Sequence, residues 1–289
     1  MKQTINGLLL TLLSFNCLAG EAINFKYLPT GHMYIPVKVN DKVEYPFMID
    51  TAAGSAAIPT KLLKQLNLGQ SKMETEILKG GSGEIKVKTL SLDSIEVGGH
   101  KMANVETVLL DMHRGSKIEP AVIGVPFLQK FKLDFDLKQK TLTLHDKKKN
   151  ISSSSLTKIP FTFREDNFIT IPVTVSGQKI DALFDTGAGD HVNFNWKAAT
   201  KVGLDKKKNN FEKLEVRTAS GPMEISINPS MKFALGGIDF SQEVGISNFP
   251  ALEHIYGDAP SAIVGIGVFS GRRVIIDYAA KEILFSEVL

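Results

Sequence analysis

Two short blocks of this chain combine a carboxylate with a hydroxyl and small residues, which are the residue types that acid–base hydrolysis uses. One block reads Asp50-Thr51-Ala52-Ala53-Gly54-Ser55, and the other reads Asp185-Thr186-Gly187-Ala188-Gly189-Asp190. Two carboxylates at short separation cannot both ionise, so one keeps a proton while the other is charged. Such a pair can take a proton from water and donate one to a carbonyl oxygen.

The second half of the chain repeats the first. Residues 35–39 lead through a short turn to the first Asp-Thr block, and residues 171–175 lead in the same way to the second. Further along, Ala121-Val122-Ile123-Gly124 is matched by Ala262-Ile263-Val264-Gly265. Because only two copies exist, the pattern indicates a duplicated domain and not a solenoid.

The local pattern in both halves predicts β structure. Apolar residues alternate with others along residues 35–39 and 171–175, which is the period of half-buried strands. Apolar residues at helical spacing predict short helices at 59–66 and 195–202. The stretch 146–158, with a run of three Lys and a run of four Ser, has the composition of a linker.

These boundaries divide the chain into four parts. We expect a signal peptide at 1–20, an N-terminal lobe at 24–145, a linker at 146–158 and a C-terminal lobe at 159–289.

The Asp185-Thr186-Gly187-Ala188 block, with an apolar-apolar-Gly block about eighty residues later, resembles the retropepsin-like aspartic peptidases. Because both halves carry both blocks, the resemblance is to the bacterial, two-lobed, single-chain form. It implies an all-β fold of two tandem retropepsin-like β-barrel lobes with short helices, related by a pseudo-twofold axis. It also implies hydrolysis of peptide bonds.

The same resemblance assigns the catalytic pair. Asp50 and Asp185 would face each other across the lobe interface and activate a water molecule, without a covalent enzyme intermediate. Thr51 and Thr186 match the threonines whose hydroxyls bond to the opposite loop and join the two active loops.

Four neighbouring residues receive supporting roles from the resemblance. Gly187 matches the glycine that lets backbone come close to the pair, where a Cβ would intrude. Ala52 stands where the family has Gly, which is the departure of the first half from the pattern. Asp190 resembles the aspartate that binds the substrate main chain, and Ser55 occupies that place in the first half.

Two glycine-rich loops are candidate flaps. Lys79-Gly80-Gly81-Ser82-Gly83 and Thr218-Ala219-Ser220-Gly221-Pro222 each lie about thirty residues past an Asp-Thr block, between strand-like runs. Such hairpin tips suit a lid that opens for a peptide, so Gly81 and Gly221 are predicted to bind substrate. As ordinary hairpin turns these loops would need no function.

The composition excludes several other classes of function. Lys and Arg total 34 against 31 Asp and Glu, and a net charge of +3 is too small to predict nucleic-acid binding. One Cys and six scattered His give neither a disulfide nor a metal-ligand spacing, so we expect no metal or other cofactor. Asp136 and Asp277 end strand-like runs without a Thr-Gly continuation, which predicts structural or solvated carboxylates.

The first twenty residues have the pattern of a secretory signal. Lys2 precedes the apolar run 7–13, and Cys17-Leu18-Ala19 supplies small residues for cleavage. The run is short for a membrane span. We therefore expect a periplasmic or secreted protein after removal of the signal. A lipoprotein is less favoured because Asn16 precedes Cys17 where a small residue is expected.

Two classes of function stay open at this point. The favoured one is an aspartic endopeptidase acting on a peptide or protein. The alternative is an inactive two-lobed protein that binds a peptide or another ligand, which Ala52 supports, and an unrelated β-sandwich binding module is a lesser possibility. The lobes could pair within one chain or between chains, and a monomer with pseudo-twofold lobes is favoured over a dimer.

Overall fold

Residues 20–28, 31–69, 73–111, 119–164, 167–206 and 210–288 are described by the computed structural model. The predicted signal peptide therefore lies outside the described residues, apart from Gly20. No helix in these described ranges has both the length and the apolar composition needed to cross a membrane.

Strands dominate the first half of the chain. In order, its elements are β1 (Ala22–Asn24), β2 (Lys26–Tyr27), β3 (Met33–Val39), β4 (Val43–Ile49), β5 (Ala56–Ile58), α1 (Thr60–Gln65), β6 (Glu74–Gly80), β7 (Gly83–Val97), β8 (His100–Leu109), β9 (Ala121–Ile123), α2 (Val125–Leu128), β10 (Phe131–Asp136) and β11 (Thr141–Asp146).

The second half repeats this order. Its elements are β12 (Thr157–Pro160), β13 (Thr162–Phe163), β14 (Ile169–Val175), β15 (Gln178–Phe184), a 3-10 turn (Thr186–Ala188), β16 (Val192–Phe194), α3 (Trp196–Lys201), β17 (Glu212–Thr218), β18 (Gly221–Leu235), β19 (Ile238–Ile246), α4 (Pro250–Tyr256), β20 (Ser261–Val264), a second 3-10 turn (Ile266–Phe269), β21 (Arg273–Asp277) and β22 (Glu282–Phe285).

Each half folds into a closed barrel of six strands. In the first half the ring runs β3-β4-β9-β5-β8-β7, and pairing of β3 with β7 closes it. In the second half the ring runs β14-β15-β20-β16-β19-β18, and pairing of β14 with β18 closes it. The all-β prediction of two tandem barrel lobes with short helices is therefore confirmed.

The period-two patterns produce the barrel cores. Along β3, Met33, Ile35, Val37 and Val39 are buried and the residues between them are less so. One large cluster of buried apolar side chains extends through both barrels. Burial of apolar surface on this scale is the main favourable term in folding.

A third sheet joins the two lobes within the chain. Its order is β1-β11-β10-β21-β22-β12, and β10 pairs antiparallel with β21 across the lobe boundary. Lys132 on β10 bonds to Asp277 on β21 at 2.7 Å, and both side chains are nearly buried. Asp277 is thus structural, as its sequence context predicts.

A second ionic group lies in the same sheet. Asp134 accepts hydrogen bonds from Arg273 Nε at 2.8 Å and Nη2 at 2.6 Å, and the ring of His145 lies 3.1 Å from it. At the end of β10, Asp136 Oδ1 accepts from the backbone N–H groups of Lys138 and Gln139. The carboxylates of this sheet therefore link β10 to β21 and stabilise the turn after β10.

The predicted linker, 146–158, spans the residues between β11 and β12 and overlaps both strands. Its first residue, Asp146, still belongs to β11, and residues 157–158 belong to β12. Within it, the carbonyl of Lys149 accepts a hydrogen bond from Lys132 Nζ. The linker thus connects two strands of the sheet that joins the lobes.

Of the four helices among the described residues, α1 and α3 lie inside the predicted ranges 59–66 and 195–202. Asn195 caps α3 by accepting a hydrogen bond from the backbone N–H of Ala198 at 2.8 Å. Helices α2 and α4 were not expected from the sequence pattern. A four-residue helix such as α2 has too few residues to show a helical period.

Candidate active site

Both aspartates stand at the end of a buried strand. Asp50 directly follows β4, and its backbone N–H donates to the carbonyl of Ile123 at 3.1 Å. Asp185 directly follows β15, and its N–H donates to the carbonyl of Val264 at 3.0 Å. β4 runs parallel to β9 and β15 runs parallel to β20, so the apolar-apolar-Gly blocks are the strands that support the two loops.

Each carboxylate is held by its own loop. Asp50 Oδ1 accepts a hydrogen bond from the backbone N–H of Ala52 at 2.8 Å. Asp185 Oδ1 accepts one from the backbone N–H of Gly187 at 2.7 Å. The change of Gly to Ala at position 52 therefore preserves the amide that orients the first carboxylate.

Two buried threonines join the loops to each other. The backbone N–H of Thr51 donates to Thr186 Oγ1 at 3.1 Å, and the backbone N–H of Thr186 donates to Thr51 Oγ1 at 3.0 Å. The hydroxyls then donate onward, Thr51 to the carbonyl of Phe184 at 3.1 Å and Thr186 to the carbonyl of Ile49 at 2.8 Å. These four bonds are exchanged in pairs, as an approximate twofold axis between the loops requires.

Gly187 lies between the two carboxyl groups. Its N–H bonds to Asp185, while a Cβ placed on it would stand 2.5 Å from Asp50 Cγ. Such a distance is far below any real carbon contact, so the carboxyl of Asp50 occupies the space that a side chain would fill. Only glycine fits here, and both aspartates border this one residue.

Ala52 packs across the lobe boundary. It contacts a buried apolar cluster of the second lobe, formed by Leu183, Ile225, Ile227, Phe249, Leu252 and Ile263. Ala219, at the tip of the β17–β18 hairpin of the second lobe, packs in turn against an apolar cluster of the first lobe. That cluster is formed by Met48, Ala57, Val87, Val108 and Val122. Each lobe thus contributes an apolar wall next to the loops of its partner lobe.

The tips of the two predicted flaps meet. The backbone N–H of Ser82, in the β6–β7 turn, donates to Ser220 Oγ at 2.9 Å, and the two serine hydroxyls lie 2.8 Å apart. Thr218 Oγ1 donates to the carbonyl of Gly221 at 3.0 Å and lies 2.9 Å from Ser82 Oγ. The hydroxyls of Ser82, Thr218 and Ser220, called the flap-tip cluster below, therefore link the two hairpins.

The two glycines predicted to bind substrate lie in this contact. A Cβ on Gly81 would stand 3.0 Å from Thr218 Cγ2, so the tips are closely packed. Gly221 has a φ of +135°, which disfavours any side chain. The first flap also reaches the second lobe, where Lys79 Nζ lies 3.2 Å from the ring of His254 on α4.

The two remaining residues predicted to bind substrate, Asp190 and Ser55, have different surroundings. Asp190 is largely exposed, and its Oδ1 would stand 2.7 Å from a Cβ on Gly31 of the first lobe. Ser55 lines a cavity of about 360 Å³ together with Met102 and Asn104 of β8. Their roles in substrate binding stay predictions.

One residue near the pair was missed by the sequence analysis. Tyr278, just after β21, is buried against Phe161 and Phe163, and its hydroxyl has no hydrogen-bond partner among the described residues. Burial and then the charge of Asp50 raise the pKa of Tyr278 above its ordinary value. Tyr278 and Leu137 occupy equivalent positions of the two copies, since each follows the Asp that ends its strand. The replacement of an apolar residue by a phenol at this position is the sequence signal that could have pointed to Tyr278.

The described residues offer no group of three or more His, Cys, Asp and Glu side chains that could hold a metal ion.

The duplicated barrels and their paired Asp-Thr loops define a protein of the aspartic protease fold. A sequence model of the aspartyl protease family matches residues 35–127 and 171–255, one segment in each barrel. The chain therefore belongs to the aspartyl protease family, a family of hydrolases, in its retropepsin-like form. No curated protein matches the chain.

Proposed function

We propose that the chain is an aspartic endopeptidase that hydrolyses peptide bonds through a water activated by Asp50 and Asp185. The observation that carries the proposal is the convergence of both carboxyl groups on Gly187, with the loops bonded reciprocally through Thr51 and Thr186. A loop pair fixed in this way is a preorganised site, which costs little rearrangement during reaction.

The proposed reaction follows from the charges of the pair. The ionised carboxylate takes a proton from the water as it attacks the peptide carbonyl carbon. The neutral carboxyl donates its proton to the carbonyl oxygen, which gives a neutral tetrahedral intermediate. The carboxyl group that took the proton from water then gives it to the amide nitrogen, while the other carboxylate takes a proton from a hydroxyl group of the intermediate. The carbon–nitrogen bond breaks, the acid and amine fragments leave, and the pair again shares one proton.

The substrate would be a peptide in an extended conformation between the loops and the flaps. The apolar walls of the two lobes flank that space, and the backbone of the flap tips could bond to a peptide once the flap-tip cluster has opened. Flap opening is then a required step of the proposed reaction.

The experiment that tests the proposal compares Asp50→Asn and Asp185→Asn with the wild type on a broad library of fluorogenic peptides, from acidic to neutral pH. We expect each variant to lose at least about a thousandfold in kcat/KM, since the pair fails when either member is lost. The matched control is Asp136→Asn, which changes a carboxylate at a turn of the joining sheet. The control should keep wild-type activity.

A second candidate is an inactive protein that binds peptides in the same cleft, and Ala52 favours it. An additional methyl next to the pair is a feature that would disturb catalysis more than binding. In that case the wild type would cleave no peptide at any pH, while a peptide-based transition-state analogue would still bind. Cleavage that survives in both Asp→Asn variants would contradict both candidates.

A further inference from the structure

The two active loops differ at one methyl group close to the carboxyl pair. The backbone amides of Ala52 and Gly187 make the same bond to their own aspartates, at 2.8 and 2.7 Å. The threonine bonds are reciprocal to within 0.1 Å for the two amide donors, at 3.1 and 3.0 Å. The two loops thus hold their aspartates and threonines in nearly equivalent ways. Their third residues differ by the methyl of Ala52, and their sixth residues, Ser55 and Asp190, differ in charge.

At Gly187 the space beside the glycine is filled by a carboxyl group. A Cβ there would stand 2.5 Å from both Cγ and Oδ2 of Asp50 and 2.9 Å from its Oδ1. Asp50 can lie over the opposite loop because no side chain is present. This approach keeps Asp50 next to backbone, a polar neighbour.

The approximate twofold axis relates this space to the one beside Ala52. There the methyl group is present, and it packs against the apolar cluster of the second lobe. One member of that cluster, Leu183, lies two residues before Asp185 in the chain. Because the methyl of Ala52 is present, the carboxyl of Asp185 cannot come as close to Ala52 as the carboxyl of Asp50 comes to Gly187. By the same symmetry we infer that Asp185 has an apolar neighbour where Asp50 has backbone.

We propose that Ala52 is a positioning residue that makes Asp185 the protonated member of the pair and Asp50 the ionised one. An apolar neighbour disfavours the charged form of a carboxyl group, and in a coupled pair a small bias decides which member holds the shared proton. In the proposed reaction, Asp185 is then the acid that protonates the carbonyl oxygen and Asp50 the base that takes the proton from water. This assignment of roles rests on the proposed function, whereas the position of the proton does not.

Among the described residues, the two strands and the turn packed on the loops carry no charged side chain. β9, β20 and the 3-10 turn Ile266–Phe269 consist of apolar residues with one Ser and one Gly. The charged residues of the second loop itself, Asp190 and His191, are more than half exposed, so water screens their effect on the pair. The flap-tip cluster consists of hydroxyls. Tyr278 is titratable and lies in the field of Asp50, but its raised pKa keeps it neutral at acidic and neutral pH.

The test is a carbon-13 NMR titration of protein labelled at the aspartate Cγ positions. The two signals are assigned by their loss in Asp50→Asn and Asp185→Asn. The carbon that moves during the first deprotonation step belongs to the group that ionises first. In the wild type we expect this carbon to be that of Asp50, with the shared proton on Asp185 on the order of ten times as often, the ratio that one pH unit of difference gives.

Three variants separate the effect of the methyl from general changes in the loops. In Ala52→Gly we expect both carbons to move about equally in each step. In the exchanged variant, Ala52→Gly with Gly187→Ala, we expect the order to reverse. The matched control is Ala53→Gly, because Ala53 belongs to the same loop but packs against the cluster of its own lobe. It should keep the wild-type order.

The proposal is overturned if Asp50 ionises last in the wild type, or if Ala52→Gly leaves the order unchanged. Neither result requires the exchanged variant to fold, and neither requires turnover. A wild type that titrates as expected but cleaves no peptide would contradict the proposed function and leave the position of the proton established. A wild type that cleaves peptides but in which Asp185 ionises first would support the proposed function and contradict the proposed position of the proton.

Discussion

Thr51 and Thr186 each accept, on the hydroxyl oxygen, a hydrogen bond from the backbone N–H of the other. Both side chains are fully buried, so each bond lies where water cannot replace it. Loss of either hydroxyl removes the hydrogen bond of one buried amide and a hydrogen bond to one carbonyl.

We therefore expect Thr186→Val to lower the free energy of unfolding by about 2–4 kcal/mol. Thr51→Val should cost a similar amount, because its bonds are the equivalent ones. Urea unfolding followed by circular dichroism measures both changes. Thr186→Ser is the matched control, since it keeps the hydroxyl, and a Ser variant as unstable as the Val variant would contradict this explanation.

The flap-tip cluster predicts that the two flaps can be locked together. Ser82 Oγ and Ser220 Oγ lie 2.8 Å apart, so cysteines at both positions should form a disulfide on oxidation. We expect the oxidised double variant Ser82→Cys/Ser220→Cys to lose at least about tenfold in peptide cleavage or inhibitor association, because the closed tips block entry. Dithiothreitol should restore the rate. The single variant Ser82→Cys serves as the control, and an oxidised double variant with the wild-type rate would show that the flaps need not part.

Removing one member of the ion pair between Lys132 and Asp277 should destabilise the fold more than removing both members. Both side chains are about nine-tenths buried and bond at 2.7 Å across the lobe boundary. Lys132→Met leaves the carboxylate of Asp277 buried without its cation, which we expect to cost about 3–5 kcal/mol. Calorimetry on the single variant and on Lys132→Met/Asp277→Leu measures the difference.

The double variant should be more stable than the single one, because no uncompensated charge remains. Lys101→Met, which breaks an exposed ion pair with Asp41, is the matched control and should leave the melting temperature unchanged. A single variant as stable as this control would refute a structural role for the buried pair.

The raised pKa of Tyr256 leads us to expect a lower free energy of unfolding at alkaline pH. Burial raises the pKa of Tyr256 to about 12, although its hydrogen bond with Thr170 acts in the other direction. In the unfolded chain the same phenol ionises near its ordinary value of 10.0. Between these values the unfolded state loses the proton and the folded state keeps it, so the free energy of unfolding falls as pH rises from about 10 to about 12.

We expect the free energy of unfolding of Tyr256→Phe to fall by about 1–2 kcal/mol less than that of the wild type over this pH range. This difference in slope is independent of any change in stability that the mutation causes at neutral pH. Urea unfolding at pH 9, 10 and 11 gives the slope for both proteins. Tyr34→Phe controls for the general effect of losing a phenol. Equal slopes for Tyr256→Phe and the wild type would rule out this contribution.

We propose that the chain is exported, because its first twenty residues have the pattern of a secretory signal. The expected mature N-terminus lies between Gly20 and Ile23, and N-terminal sequencing of a secreted or periplasmic fraction measures it. Replacing Leu10 by Arg should block export, since the apolar run would be interrupted. Protein that keeps Met1 and accumulates in the cytosol would contradict the proposal.

The sequence by itself determined the fold and the composition of the two loops. Strand patterns of period two are local, and a duplication is visible wherever both copies keep the same residues in the same order. The position of each aspartate at the end of an apolar strand could therefore be predicted, and so could helices α1 and α3.

The tertiary structure decided which distant side chains meet. The contact of Asp50 with Gly187, the flap-tip cluster, the ion pair of Lys132 with Asp277 and the burial of Tyr278 near Asp50 all join residues that are far apart in the chain. Such contacts depend on the register of strands and on how one barrel packs against the other, and a difference of one residue in register moves a side chain to the opposite face. A local pattern carries no information on either, which is why only the folded chain placed the methyl of Ala52 beside the lobe opposite its own.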